Sequence, residues 1–327
     1  MTRARDTADT QDNAGGAVAP FVAGKNKIIN GDFFVNQRAF TSTTTDGTFG
    51  FDRWKFVTFD GTCTYSTQAF SPGTAPVTGY EGTNYARIVT SGQTLSSAET
   101  SLRQSIEGVR TVTGTTTISF FAQAGSGTPK IALEFQQDFG SGGSATVNTY
   151  VGSVTLSTSW TRYSVTFSVP SISGKTIGTS NTGVLALWLS AGSTNNTRTG
   201  SLGIQSNTFN IWGVQVEAGS VATAFQTATG TLQGELAACQ RYYVRLGGAA
   251  LYEAVASGVF ESATAAVTLF QCPVTLRAAA TSVEYSTIYV YDYGAVRTIS
   301  NVTINNSGKN IVNLMATVTG GTQYRPF

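Results

Sequence analysis

At 327 residues the chain can bury two cores, yet only 12% of it is Asp, Glu, Lys or Arg, about half the usual share of a soluble domain. A formal net charge of +2 with no clustered Lys/Arg run excludes the electrostatic footprint of a nucleic-acid binder, and 11% aromatic residues exclude a chain too polar to fold. The absence of histidine removes Ser-His-Asp and Cys-His nucleophiles, most catalytic zinc sites and the usual base near neutral pH.

In chain order, residues 1–25 alternate charges (Arg3, Arg5, Asp6, Asp9) and then run into Gly, Ala and Pro. Nothing there builds a core, so the segment reads either as a disordered terminus or as an arm that orders only against a partner, and the arm is the functional reading. From Asn26 the pattern changes. NKIINGDFFVNQR is extended and broken at Asn30-Gly31, and FDRWKFVTF alternates from Arg53. TCTYSTQAF, NYARIVT, SLRQSIEG, TTTISFFAQAG, PKIALEFQQDF, SWTRYSVTFSVP, GVLALWLSAG and TFNIWGVQVEAG follow, each of period two and bounded by turn residues. Many short strands without an intervening helix predict an antiparallel β-sandwich over residues 26–228.

A helix is predicted next, within a joint at 229–247. TLQGELAACQRYYVRL places Leu232, Leu236, Cys239, Tyr243 and Leu246 at alternating steps of four and three, the a and d positions of two heptads. Thr231 is the expected N-cap, Glu235 suits the positive end of the helix dipole, and Gly234 makes the helix dependent on packing. Residues 248–327 read as a second, smaller β-domain. The fold class expected is therefore all-β: a sandwich, one connecting helix and a C-terminal β-domain. Cys63, Cys239 and Cys272 follow no metal or redox spacing and read as small buried hydrophobes. No stretch of about 18 apolar residues predicts a membrane span and no apolar run marks a secretory signal, so a soluble protein made in a cytoplasm is expected.

Several of these stretches together resemble a known group. NKIINGDFFVNQR with FDRW, SLRQSIEG, SWTRYSVTFSVP and FNIWGVQVEAG are similar to carbohydrate-binding-module-type jelly rolls in phage tail and fibre proteins. AFQTATGTLQGELAACQRYYVR resembles the helical joint after such a jelly roll, and TRARDTADT the N-terminal segment of tail-fibre proteins. The resemblance covers about residues 1–245. It implies a virion structural protein, a tail fibre or a head fibre decorating the capsid, attached through its arm to other virion proteins and commonly trimeric. Jelly rolls of this kind often hold a structural calcium near the first strand, where Asn30, Gly31 and Asp32 stand. Val35, Asn210 and Gln215 replace the usual acidic residues, so no metal or other cofactor is expected.

A glycosidase needs only two carboxylates and survives the missing histidines. Glu134 and Asp138, however, stand four apart, roughly 13 Å along a strand, too far for a pair from this strand alone, so a hydrolase would need a partner carboxylate from elsewhere in the chain. Binding is the expected role. Trp188 shares no face with Leu185, Leu187 and Leu189, and Glu134 and Gln136 stand opposite Ile131, Leu133 and Phe135. A sheet face combining Trp188, Gln123, Glu134 and Gln136 offers a ring for the C–H face of a pyranose and polar groups for its hydroxyls. The alternative is that Trp188 packs under a loop or against another subunit. Trp54 and Trp160 read as core. Tyr289, Tyr291 and Tyr293 share a strand face and form a second candidate contact surface, the alternative being a packed inter-sheet or inter-subunit face. The function expected is a tail fibre contacting host glycans; a head decoration without ligand and a polysaccharide-degrading tailspike are the alternatives. Leu232, Leu236, Cys239, Tyr243 and Leu246 are the expected seam of a homotrimer.

Overall fold

The computed structural model describes residues 22–247, 253–292 and 295–326. The fold class is the one expected: an antiparallel jelly-roll sandwich, one connecting helix and a smaller C-terminal β-region. The chain divides into two compact units, and the division falls inside the helix, between Glu235 and Leu236.

In the first unit the strands are β1 (Ser42–Thr43), β2 (Lys55–Phe59), β3 (Thr64–Ala69), β4 (Asn84–Thr90), β5 (Glu99–Glu107), β6 (Gly114–Ala124), β7 (Lys130–Asp138), β8 (Val147–Thr155), β9 (Thr161–Val169), β10 (Thr182–Ala191) and β11 (Asn207–Ala218). They form a six-stranded sheet, β1-β3-β4-β11-β6-β9, and a five-stranded sheet, β2-β5-β10-β7-β8. Every pairing is antiparallel. Period-two alternation turns one face of each sheet inward. Leu185, Leu187 and Leu189 of β10, Ile131, Leu133 and Phe135 of β7, and Phe209 and Ile211 of β11 meet there with Trp54, Phe56 and Tyr65 in one continuous core. Trp54 is core, as the sequence predicts. Its indole N–H donates to the Asn30 carbonyl at 2.8 Å.

The segment before β1 is stitched onto β11. Lys27 N donates to Val216 O, Val214 N donates to Gly31 O, and Asn26 reaches Val214 O and Val216 N through its amide. Gly31 is required by this approach, because a Cβ there would lie 2.2 Å from the Val214 carbonyl oxygen. In the stretch that the resemblance offers to calcium, the side chains make contacts within the protein. The Asn30 amide bridges Val35 and the Asp52 carbonyl, and Asp32 accepts from Tyr80 Oη at 2.6 Å. Among the described residues no three His, Cys, Asp or Glu side chains cluster to hold a metal.

The helix spans Leu232–Gln240 and is shorter than the stripe predicts. Tyr243 and Leu246 lie beyond its end, so the five stripe residues do not form one continuous helical seam. Cys239 is buried, whereas Leu232, Leu236 and Leu246 are exposed. The first turn is held by Glu235, whose carboxylate accepts from Asn30 N at 2.7 Å, Thr229 N at 2.8 Å and Thr229 Oγ1 at 2.9 Å. Gly234 has a structural reason too: a Cβ there would sit 2.6 Å from Thr229 Oγ1.

The second unit holds a four-stranded sheet, β12 (Gly258–Phe260), β13 (Ala265–Gln271), β17 (Ile311–Thr317) and β16 (Asn301–Ser307) in that spatial order, and a hairpin of β14 (Tyr289–Asp292) with β15 (Ala295–Thr298). Its core is small, centred on Phe260, Ala266, Val290, Val302, Ala316 and Val318.

Candidate functional site

Three of the four residues expected to recognise sugar share a face, and the fourth does not. Trp188 of β10 and Glu134 and Gln136 of β7 point away from the core on the five-stranded sheet. Gln123 belongs to β6, in the other sheet. The expected four-residue platform therefore does not exist as one surface. The reason is topological: β6 and β7 are consecutive in sequence but lie in different sheets.

Trp188 is also not a platform, because it is fully buried. After β10 the chain folds back through a 3-10 turn at Ser193–Asn195 and a one-turn helix at Asn196–Thr199. Thr194 Oγ1 donates to Ser96 O and Asn195 Nδ2 to Ala98 O, which pins this segment down. It delivers Arg198 onto the indole, with the guanidinium carbon 4.8 Å from the ring centroid. Arg103 of β5 stands 5.1 Å from the same centroid. Arg198 grips Glu134 with two hydrogen bonds, at 2.7 and 2.9 Å, and Trp188 Nε1 donates to Glu134 Oε2 at 2.8 Å. Arg103 pairs with Glu99. Burial, and then the neighbouring Arg198 charge, pull the Arg103 guanidinium down to about 10. Both cations have a carboxylate and the indole N–H is satisfied, so the cluster is internally complete. Its work is to clamp the covering segment to the sheet.

The six-stranded sheet is different. Its outward positions are Thr64, Ser66 and Gln68 on β3, Tyr85 and Arg87 on β4, Asn210 and Trp212 on β11, and Phe121 and Gln123 on β6, alternating with the core-facing Tyr65, Ala86, Ile88, Phe209, Ile211 and Ala122. Register aligns Ser66, Arg87, Asn210 and Gln123 in one row across four strands. From Arg87 to Gln123 the row is hydrogen-bonded. Arg87 Nε donates to Asn210 Oδ1 at 2.8 Å, Asn210 Nδ2 to Gln123 Oε1 at 3.0 Å, and Gln123 Nε2 to Thr158 O at 2.9 Å.

Rings flank this row. Trp212, fully buried, is covered by Phe70, Tyr80, Phe121 and Phe225 at centroid distances of 4.9 to 6.0 Å. Beside it Trp160, Tyr85 and Phe70 form a half-buried trio. Tyr85 and Trp160 lie 5.3 Å apart at 84°, Phe70 and Tyr85 4.8 Å apart, and Phe70 and Trp160 5.5 Å apart. Trp160 is thus not inter-sheet core, which corrects the sequence reading; its place just before β9 gives it the outward parity of Arg162. Its indole N–H has no hydrogen-bond partner among the described residues. Half-buried rings beside amides and a guanidinium are what a saccharide site needs: an apolar surface for C–H groups and fixed donors and acceptors for hydroxyls.

Of the outward residues on this face, the sequence reading named Gln123 as a sugar contact and did not name Tyr85, Arg87 or Asn210. The period-two pattern of NYARIVT and TFNIWG does place these residues outward. Which strands neighbour each other is what the pattern lacks.

In the second unit Tyr289 and Tyr291 are exposed, at 55% and 68%, opposite Thr298 and Val296. Tyr293 lies outside the described residues, as do Arg3, Arg5, Asp6 and Asp9.

No family model and no curated protein matches this sequence. Among solved structures the chain is similar to a CBM4 protein at 18% identity and TM-score 0.34, covering 57% of this chain and 97% of that one. It is also similar to a family 11 carbohydrate-binding module from Clostridium thermocellum in complex with a mixed-linked tetrasaccharide, at 15% identity and TM-score 0.32, covering 56% and 99%. A third likeness is to the enzymatically active domain of tailspike protein 4 from bacteriophage CBA120, at 12% identity and TM-score 0.34, covering 62% of this chain and 24% of that one. At such identities and TM-scores none of these likenesses carries a functional assignment.

Proposed function

We propose that the protein is a non-enzymatic, glycan-binding structural protein of a phage virion, a fibre that attaches through residues 1–25 and meets host glycans with its sandwich. The observation that carries the binding role is the Trp160–Tyr85 ring pair set beside the Arg87–Asn210–Gln123 row. The virion assignment is supported by the order of sequence stretches similar to phage fibre proteins. A binding rather than hydrolytic role is supported by Glu134, the one carboxylate on the expected platform that is fully buried, being committed to Arg198 and Trp188. Weak single-site affinity is expected to be multiplied by copy number in the homotrimer.

A glycan panel probed with the full-length chain and with Trp160→Ala tests the binding role. Binding of the parent and loss in the variant is the expected result. Binding unchanged in Trp160→Ala refutes this site, and reproducible cleavage of any glycan refutes the non-enzymatic reading. Deleting residues 1–24 should leave a folded protein absent from purified particles; normal incorporation refutes the arm as the attachment device. Light scattering at micromolar concentration checks the trimer, and a stable monomer overturns it.

A further inference from the structure

Arg87 is held differently from three other half-buried arginines of the chain. Arg103, Arg198 and Arg297 each face a carboxylate, from Glu99, Glu134 and Asp292 respectively. Arg87 has none within ion-pair distance among the described residues. Its Nε is fixed by Asn210 Oδ1 at 2.8 Å and its Nη2 by Tyr85 Oη at 3.2 Å. Both partners are neutral. A guanidinium has five N–H donors in a rigid fork, so two are used for orientation and three remain. The guanidinium carbon also stands 5.8 Å from the centroid of the Tyr85 ring.

The surroundings share this bias. Across all six strands of the sheet the only acidic residue is Glu217, and Lys25 neutralises it at 3.5 Å. Arg162 of β9 adds a second cation on the same face, with its Nη2 donating to Ser119 Oγ and Thr223 O. The five-stranded sheet, by contrast, carries Glu99, Glu107, Glu134 and Asp138 in β5 and β7 alone. A positive group that is oriented, desolvated on one side and unneutralised is a receptor for an anion. Arginine's fork matches a carboxylate by two parallel hydrogen bonds.

We propose that the ligand of this face is an acidic saccharide, a pyranose whose carboxylate is taken by Arg87 while its apolar face lies against Trp160 and Tyr85 and its hydroxyls meet Gln123. This rests on the glycan-binding reading above and deepens it by naming the class. A uronic-acid residue within a polysaccharide fits, because its carboxylate projects from the ring edge while the ring face stays free for stacking.

The test pairs each acidic polymer with a version that differs only in charge. Polygalacturonate, alginate and hyaluronan, each intact and carboxyl-reduced, are assayed against the full-length chain by affinity electrophoresis, with dextran sulfate and neutral dextran as controls. The expected result is that at least one intact polymer binds about tenfold or more tightly than its reduced form, equivalent to about 1.4 kcal/mol. Arg87→Gln should abolish that preference and leave residual binding to the reduced polymer. Arg87→Lys should keep the sign of the preference and lose most of its size, since an ammonium lacks the fork. Thermal melts show that each variant is folded, and the lysine variant carries the test if the glutamine variant is not. Equal binding of intact and reduced polymers, or a preference untouched in both Arg87 variants, overturns the acidic class while leaving glycan binding in place. Dextran sulfate binding as tightly as the best uronate polymer also overturns it, in favour of general anion attraction. If no polymer binds in either form, the inference and the glycan-binding reading fail together.

Discussion

The two outward faces of the sandwich carry similar chemistry and have opposite fates. Each presents a tryptophan, amide or carboxylate groups and arginine. On the five-stranded sheet, Trp188 is enclosed between Arg103 and Arg198, its N–H is taken by Glu134, and a chain segment lies over it. On the six-stranded sheet, Trp160 stays half-buried beside Arg87; among the described residues its indole N–H has no hydrogen-bond partner and Arg87 has no carboxylate within ion-pair distance. An alternating strand decides which residues face outward, but the covering loop and the charge balance decide whether an outward residue can meet a ligand.

The largest effect that can break this comparison is on stability. Trp188→Ala should cost about 3–5 kcal/mol in the first unit, read as a lowered thermal or denaturant midpoint. Glu134→Ala should cost about 3 kcal/mol, because it leaves the buried indole N–H and Arg198 without their shared acceptor. A Trp188→Ala protein of unchanged stability that has lost glycan binding would reverse the roles assigned to the two faces.

A smaller effect is expected from pH, and it again separates the regions. Glu134 is paired with Arg198, whereas Asp32 and Glu235 are buried with no cation in ion-pair distance among the described residues. Burial pushes both carboxyls above their ordinary range, against the hydrogen bonds from Tyr80 and Phe34 in one and Asn30 and Thr229 in the other. A carboxyl raised in the folded state binds more protons folded than unfolded. Its contribution is fully present below the ordinary carboxylate value of about 4 and is lost as pH rises through the raised one. Denaturation followed from pH 4.5 to 7 should show this loss on raising pH. Glu235→Gln should reduce the slope and leave the part that Asp32 carries, and an unchanged slope in that variant would remove Glu235 from the account.

The smallest stability effect belongs to the open face. Trp160→Ala should cost about 1 kcal/mol or less, as expected for a partly exposed ring, and still weaken glycan binding about tenfold. A loss comparable with Trp188→Ala would mean that Trp160 is core and that the open face is not a site.

What the sequence determined by itself is everything that depends on neighbours along the chain. Period-two alternation fixed the strands and the inward set of Leu185, Leu187, Leu189, Ile131 and Leu133, and the alternating four-and-three spacing placed a helix at Leu232. Composition and the absence of histidine narrowed the chemistry. The tertiary structure alone decided which strands share a sheet, so that Gln123 parted from Glu134 and joined Arg87 and Asn210, residues 36 and 87 positions away from it in the chain. It also decided that residues 193–199 return to seal Trp188, and that Glu235 serves as an anchor for Asn30 rather than only as a charge at a helix end. Alternation is set by backbone geometry and is therefore local. Strand order, loop cover and charge pairing are set by contacts between distant segments, and no window of the chain contains both partners.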